Sequence, residues 1–319
     1  MIGKVAPVLA VAGLLAGSGA AVAGRAAAEP LRQEPLRQEP LRQEPLRQEP
    51  LRQEPLRQEP LRQEPLRQER LPRVMAALGD SISSGFNSCG FFISCRSRSW
   101  SAGQHEGIGS HYTRLSALGA GLTAKNLAVP GSSSAGLLAQ AREAVEARAD
   151  YVTVLVGAQD ACTATERQMT PVTVYRQRLE QALDELRAGV PGVRVLMASI
   201  PDVYRLWRLA KDQAAARGVW RIGRICPSML TRPTSETRAD ELRRTRVRER
   251  VVAYNRQAAE ACAARPWCRT DRGAVFDYRF TLKQVSRWDY FHPNVAGQQA
   301  LAELTFGNGF TWADPRRRA

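Results

Sequence analysis

Between residues 74 and 306, short continuous apolar runs alternate with stretches in which apolar residues recur every three or four positions. The first kind predicts buried strands and the second amphipathic helices. Residues 74–78 form the first apolar run, which stops abruptly at Gly79-Asp80-Ser81. Residues 110–122 predict a short helix through Tyr112, Leu115 and Leu118. Residues 123–129 predict a second strand, ending in Pro130-Gly131-Ser132-Ser133-Ser134. A helix follows over 135–149, with Leu137, Leu138, Ala141 and Val145 on one face. Residues 151–156 are a continuous apolar strand, broken by Gly157-Ala158-Gln159-Asp160. Residues 171–188 read as a helix with proline at its start and Gly189 after its end. Residues 193–200 predict the fourth strand. Residues 203–235 hold Trp207 and Trp220 but show no clear period. A long Arg-rich helix follows over 237–264, residues 275–278 predict a fifth strand, and Pro293 opens a final helix to Phe306.

Strands alternating with helices predict an α/β fold with a mainly parallel sheet. A run as continuously apolar as 151–156 suits a sheet covered on both faces. In such folds ligands sit at the carboxyl ends of the strands. Gly79-Asp80-Ser81 lies there, either as a turn with a capping serine or as a serine presented to a substrate.

The first 70 residues have a different character. Lys4 precedes an uncharged Ala/Val/Leu/Gly run that ends in Ala21-Val22-Ala23, the pattern of a secretory signal over residues 1–23. The run is nearly long enough to span a bilayer, but its small residues and A-x-A ending favour cleavage. Residues 24–70 form a linker, in which the pentapeptide Leu-Arg-Gln-Glu-Pro runs eight times from Leu31, the last unit ending in Arg70. Proline at every fifth position breaks helix hydrogen bonds, and Arg and Glu cancel. This predicts a disordered, extended, partly polyproline-II segment. Residues 71–319 are then the globular domain, of a length that supports one sizeable core. No second long apolar run occurs, so the exported protein is expected to be soluble and extracellular.

Of the formal charge of +15, the region 71–319 carries +13, and only four of the basic residues are Lys. The Arg bias has a bland source in a GC-rich genome. With export, it argues against a nucleic-acid partner, while a basic face favours weak association with anionic surfaces. Six cysteines follow the signal, and an even count in an exported chain implies disulfides. Two local pairs stand out, Cys89 with Cys95 and Cys262 with Cys268, which leaves Cys162 with Cys226. A metal site is a poor reading, since there is no C-x-x-C and only three histidines occur.

A serine hydroxyl is a weak nucleophile without an adjacent base. The base must be His105, His111 or His292. His292 sits in Asp289-Tyr290-Phe291-His292-Pro293, where a carboxylate three residues earlier can accept Nδ1–H while Nε2 faces the serine. His105 and His111 lack such an acid and read as rim or surface residues. An oxyanion also needs donors, for which the candidates are the backbone N–H of Ser81, that of Gly131 and the side-chain amide of Gln159. Phe91, Phe92, Trp207 and Trp220 are candidate acyl contacts or core residues.

Gly79-Asp80-Ser81, Asn126 to Gly131, Gly157 to Asp160 and Asp289 to His292 follow one another in the order of the blocks of the SGNH hydrolase (GDSL esterase/lipase) superfamily, which the region 73–306 resembles. The cysteine layout and residues 199–207 resemble its secreted actinobacterial branch. The resemblance implies a flavodoxin-like three-layer α/β/α sandwich with a five-stranded, mainly parallel sheet. It implies Ser81 as nucleophile, His292 as base and then acid, Asp289 as its orienter and Gly131 as an oxyanion donor, with no cofactor. The implied activity is hydrolysis of acyl esters, lipid or small, by a monomer. Deacetylation or acyl transfer on a carbohydrate or cell-wall polymer is the second reading, and an impaired binding module the third. The third rests on Gln159, which stands where the family has asparagine: it keeps the amide but adds a methylene, and a donor misplaced by about 1 Å costs roughly a hundredfold in rate.

Overall fold

The computed structural model describes residues 70–307, 309, 310 and 312. The expected signal and the repeat units lie outside the described residues. The apolar runs become five strands: β1 (Val74–Gly79), β2 (Thr123–Asn126), β3 (Tyr151–Leu155), β4 (Arg194–Met197) and β5 (Cys268–Thr270). They form one sheet in the order β2-β1-β3-β4-β5, every neighbour parallel. This is the flavodoxin-like strand order, which puts a topological switch between β1 and β3.

The strand period of two sorts side chains onto the two faces. Ala76, Leu78, Val152, Val154, Val195 and Met197 point to one core. Against them pack α2 (Leu137–Glu146), α4 (Val172–Gly189) and α8 (Arg238–Ala263) through residues such as Ala141, Leu179, Val251 and Tyr254. Met75, Ala77, Tyr151, Leu155 and Leu196 point to the other core. There α1 (His111–Ala117) contributes Leu115, and α10 (Val295–Phe306) contributes Leu301 and Ala302. With both faces covered, all five residues of β3 are buried, as its unbroken apolar run predicts. The result is a three-layer α/β/α sandwich.

One expectation changes. Residues 275–278 are not a strand but part of a short helix, α9 (Ala274–Asp277). Gly273, at φ 83°, turns the chain, and the Asp271 carboxylate accepts from the N–H groups of Gly273 and Val275, which starts the helix. The edge strand is Cys268–Thr270 instead, too short and too polar to show a period. The segment 203–235 resolves into α5 (Val203–Ala210), α6 (Ala214–Ile222) and α7 (Pro227–Leu230), following the small helix α3 (Ala158–Ala161) in chain order after β3. Here Trp207 and Trp220 are buried at 9% and 3% exposure. The indole of Trp207 donates to the Pro233 carbonyl and faces the Arg244 guanidinium, while that of Trp220 donates to the Asp289 carbonyl. Both are packing residues.

All six cysteines are paired as expected: Cys89–Cys95, Cys162–Cys226 and Cys262–Cys268. The second joins the end of α3 to the start of α7, beside the carboxyl ends of β1 and β3. Among the described residues no helix is long and apolar enough to cross a membrane.

Candidate active site

At the end of β1 the chain must turn away from the sheet at once. Gly79 does this at φ 135°, where a Cβ would lie 1.9 Å from the Leu155 carbonyl oxygen, so no other residue fits. Its backbone groups are both satisfied by one side chain, Gln140 of α2, which accepts from the Gly79 N–H at 2.7 Å and donates to its carbonyl at 3.0 Å. The turn beyond is braced by Gln298 of α10, donating to the Ile82 carbonyl at 3.0 Å, and by Asn126, donating to that of Ser83 at 2.9 Å. Ser81 is thereby held at the switch point, half-buried.

His292 lies in the loop before α10, opposite this turn. Its Nε2 is 2.7 Å from Ser81 Oγ, and its Nδ1 is 2.6 Å from Asp289 Oδ2. The rings of Phe86 and Phe291 meet the imidazole edge-to-face, each at 5.1 Å. Asp289 Oδ1 accepts the N–H groups of Phe291 and His292, both at 2.9 Å. Asn87, held at φ 58°, donates to Oδ2 at 2.5 Å. Burial by itself would raise the Asp289 carboxyl, but the hydrogen bonds and charge of His292, with the Asn87 amide, outweigh it and hold the group below its ordinary value. The carboxylate is therefore an anion that fixes the ring by accepting Nδ1–H.

The three donor candidates line the same cleft, a cavity of about 360 Å³ that holds Ser81, Gly131, Gln159 and His292. Neither the Ser81 N–H nor the Gly131 N–H meets a protein acceptor among the described residues, and the Gln159 amide makes no hydrogen bond there. Gly131 has φ 78°, and open space faces the position of its missing Cβ. The loop bearing Gly131 is tied to α3 by Asp160, the neighbour of Gln159. Its buried carboxylate accepts from the Ser134 N–H at 2.7 Å and from the Ser134 hydroxyl at 2.6 Å. Phe92 reaches the cleft from the Cys89–Cys95 loop, and both Phe91 and Phe92 are exposed. Trp207 and Trp220 do not line it. A hydroxyl bonded to an imidazole, with unpaired donors around it, can attack a carbonyl carbon and hold the resulting oxyanion. Among the described residues no group of three or more His, Cys, Asp or Glu is placed to hold a metal ion.

The other histidines fall elsewhere. His105 is exposed, as expected. His111 is a correction: it is fully buried in α1, with Nδ1 2.7 Å from the Tyr151 hydroxyl and Nε2 2.8 Å from that of Thr305. Desolvation lowers it to about 3, so it is a neutral core residue. The brace residues Asn87, Gln140 and Gln298 had no signal in the sequence, because a buried amide on a helix or loop looks like any solvated one.

Asp80 is also buried, and desolvation raises it from the ordinary 3.8 to about 7. Its Oδ1 accepts from the Ile82 N–H at 2.9 Å, while Oδ2 has no partner. With the folded pKa above the unfolded one, the folded protein holds the proton more tightly. The contribution of Asp80 to stability is full below the unfolded value and is lost as pH rises through about 7. His111 has the opposite sign: its folded value is depressed, so its contribution is present above 6.5 and lost as pH falls toward 3. Asp80→Asn removes only the first. Its stability relative to wild type is expected to climb between pH 4 and 7 by a few kcal/mol, at about 1.4 kcal/mol per pKa unit, and to level off above. Urea unfolding of both proteins at pH 4, 6 and 8 measures this, and a difference that does not vary with pH would show Asp80 titrating normally.

Ser81, His292 and Asp289 thus stand in series at the carboxyl end of a parallel sheet of flavodoxin-like order. The chain belongs to the GDSL-like lipase/acylhydrolase family, whose model matches residues 77–300. It is 27% identical over 195 residues to the membrane-associated phospholipase B1 of Mus musculus, which covers 50% of this chain and 13% of that protein. The chain thus spans a small fraction of that relative's length. Similar solved structures include an extracellular lipase from Streptomyces rimosus, at 18% identity and TM-score 0.46 over 75% of this chain and 100% of that one. Another is phospholipase A1 from Streptomyces albidoflavus, at 16% identity and TM-score 0.45 over the same shares.

Proposed function

We propose that the protein is an exported carboxylic-ester hydrolase that works through an acyl-enzyme on Ser81. The observation that carries this reading is the unbroken chain from Ser81 Oγ to His292 at 2.7 Å and on to Asp289 at 2.6 Å. His292 Nε2 takes the hydroxyl proton as Ser81 Oγ bonds to the acyl carbon. The oxyanion is received by the N–H groups of Ser81 and Gly131 and by the Gln159 amide. His292 returns the proton to the leaving alcohol oxygen as the ester bond breaks, then activates water to release the acid. A small apolar pocket of about 60 Å³ adjoins the loop of the nucleophile and suits a short acyl group such as acetyl. Its walls include Ile82, next to Ser81, and Phe291 and Pro293, on either side of His292. Three disulfides and no free cysteine among the described residues support an oxidising, extracellular setting.

Labelling with a fluorophosphonate tests the nucleophile. One adduct per chain is expected, mapped by peptide mass spectrometry to Ser81. No adduct, or an adduct at another serine, would contradict the assignment.

Gln159 keeps its role on this reading, because its amide faces the cleft unpaired. Removing one oxyanion donor costs about 100- to 1,000-fold in kcat. Gln159→Ala is expected to lose that much on a p-nitrophenyl ester, with Gln159→Asn retaining most of the rate. An alanine variant as fast as wild type would remove Gln159 from the oxyanion site.

A further inference from the structure

The catalytic cleft opens beside a patch of exposed rings. From the imidazole of His292 a row of aromatic rings runs outward, measured between ring centres: Phe86 at 5.1 Å, Phe92 at 5.4 Å from Phe86, Phe91 at 5.8 Å from Phe92 and Trp288 at 6.0 Å from Phe91. Phe92 is 77% exposed, Phe91 67%, Ile93 50% and Trp288 37%. Phe92 also lines the cleft with Ser81 and His292, so the patch stands at its mouth. Apolar side chains turned to water add nothing to the fold by burial. Patches of this kind mark surfaces that meet a partner or a membrane.

The tip that carries Phe91, Phe92 and Ile93 is fixed in shape. The Cys89–Cys95 disulfide closes it, and Phe86 and Ser94 pair as an antiparallel bridge at its base. The Asn87 side-chain oxygen accepts the Phe92 N–H at 2.6 Å, and the Asn87 N–H donates to the Ile93 carbonyl at 2.9 Å. Phe92 is held at φ 56°, where a bulky residue is an outlier that surrounding structure must enforce. The loop of Trp288 is tied to the same base, because the Ser286 hydroxyl donates to the Asn87 carbonyl at 2.9 Å. Rings presented this way lose little freedom on docking. The charge in the two segments has one sign. Residues 81–105 carry Arg96 and Arg98 and no acid, and residues 278–288 carry Arg279, Lys283 and Arg287 and no acid. Arg96 and Arg287 are exposed. The Arg287 guanidinium lies over the Trp288 ring, 4.8 Å from its centre.

We propose that this patch seats the protein on an anionic lipid surface, with Phe91, Phe92 and Ile93 in the boundary between headgroups and acyl chains and Arg96 and Arg287 at the headgroups. Apolar side chains rimmed by arginine make the amphipathic surface that this boundary takes up. Tryptophan is at home at headgroup level, and each guanidinium gains from the negative surface potential. Two other occupants fit less well. A second copy would bring the same arginines face to face, with no acid from these segments between them. A sugar would stack on flat ring faces beside polar partners, whereas Arg287 lies over the Trp288 ring and the tip carries aliphatic Ile93. The seat brings the mouth of the cleft to the membrane whatever ester the cleft takes.

The test is co-sedimentation with vesicles of diether lipids, which no esterase can cleave, made of phosphatidylcholine alone or mixed with phosphatidylglycerol. Wild type is expected to bind the mixed vesicles more tightly than the neutral ones. Phe91→Ser/Ile93→Ser should lower the partition coefficient by about tenfold or more, the effect of losing two inserted apolar side chains. Arg96→Gln/Arg287→Gln should lower it by about tenfold on the anionic vesicles only. Both variants should hydrolyse water-soluble p-nitrophenyl acetate at the wild-type rate, since neither changes a residue of the cleft. No binding by wild type, or equal binding by Phe91→Ser/Ile93→Ser, overturns the seat. Should that variant fail to fold, the arginine pair decides, and undiminished binding to anionic vesicles overturns it. A wild-type dimer in ultracentrifugation that the Phe91→Ser/Ile93→Ser substitution abolishes would assign the patch to a second copy. Retention on acetylated polysaccharide that the same substitution abolishes, with vesicle binding unchanged, would assign it to sugar. Either result overturns the seat. The vesicles read docking by itself, so a wild type that hydrolyses no ester would end the hydrolase reading and leave the seat to the binding result.

Discussion

Ser81→Ala protein is expected to fold normally and to lose about 10⁶-fold in kcat on any ester the wild type accepts. The hydroxyl lost makes one hydrogen bond of consequence, to His292 Nε2 at 2.7 Å. The turn around it is held by other groups: the Gln140 amide on Gly79, the Asp80 carboxylate on Ile82 and the Gln298 amide on the Ile82 carbonyl. Alanine keeps the Cβ and the backbone N–H, so the cleft and its donors stay in place. What disappears is the atom that bonds to the acyl carbon. The residual rate then measures what binding and the oxyanion donors do by themselves. Activity on short p-nitrophenyl esters and on acetylated polysaccharide, with and without the substitution, separates a general esterase from a polymer deacetylase. A variant as active as wild type on every ester would remove Ser81 from the reaction and return the cleft to a binding role.

Asp289→Asn is expected to lower kcat by about 10⁴-fold and to cost about 1–3 kcal/mol of stability through the donor left facing Asn87. The argument follows from which oxygen does what. Oδ1 accepts two backbone N–H groups, of Phe291 and His292, both at 2.9 Å. An asparagine must keep its carbonyl oxygen at that place, since an NH₂ there would face two donors. Its NH₂ then occupies the position of Oδ2 and points at His292 Nδ1, now as a donor. The imidazole answers by carrying its proton on Nε2, the nitrogen that should take the proton of Ser81. The Asn87 amide, which donates to Oδ2 at 2.5 Å, meets a second donor as well. The ring keeps its place through the Oδ1 contacts, and the tautomer is wrong. Asp289→Glu checks the cause: it keeps a carboxylate to accept Nδ1–H and should recover part of the rate that Asp289→Asn loses. An unchanged kcat in Asp289→Asn would mean that Asp289 does not set the ring's tautomer.

Ser81, Asp289, His292, Gly131 and Gln159 could be singled out along the chain because each is a chemically distinctive residue at the end of an apolar run or before a helix. That logic depends on residue type and local period, both of which are local properties. It failed at β5, where three residues carry no period, and at Val275, where a side chain of Asp271 starts a helix that an apolar pair resembles as a strand. It failed at His111, because burial in α1 is set by Tyr151 and Thr305, which lie 40 and 194 residues away. Trp207 and Trp220 were equally fit for a cleft or a core, and packing under Arg244 and against Asp289 placed them in the core.

The chain by itself determined the α/β class, the parallel sheet and the strand end at Gly79-Asp80-Ser81, because hydrophobic period and glycine geometry act over a few residues. The tertiary structure alone decided that Ser81 and His292, 211 residues apart, meet at hydrogen-bond distance. It also decided that Asn87 reaches Asp289 across 202 residues. Contacts over such separations depend on how whole layers pack, and no short stretch of sequence contains them.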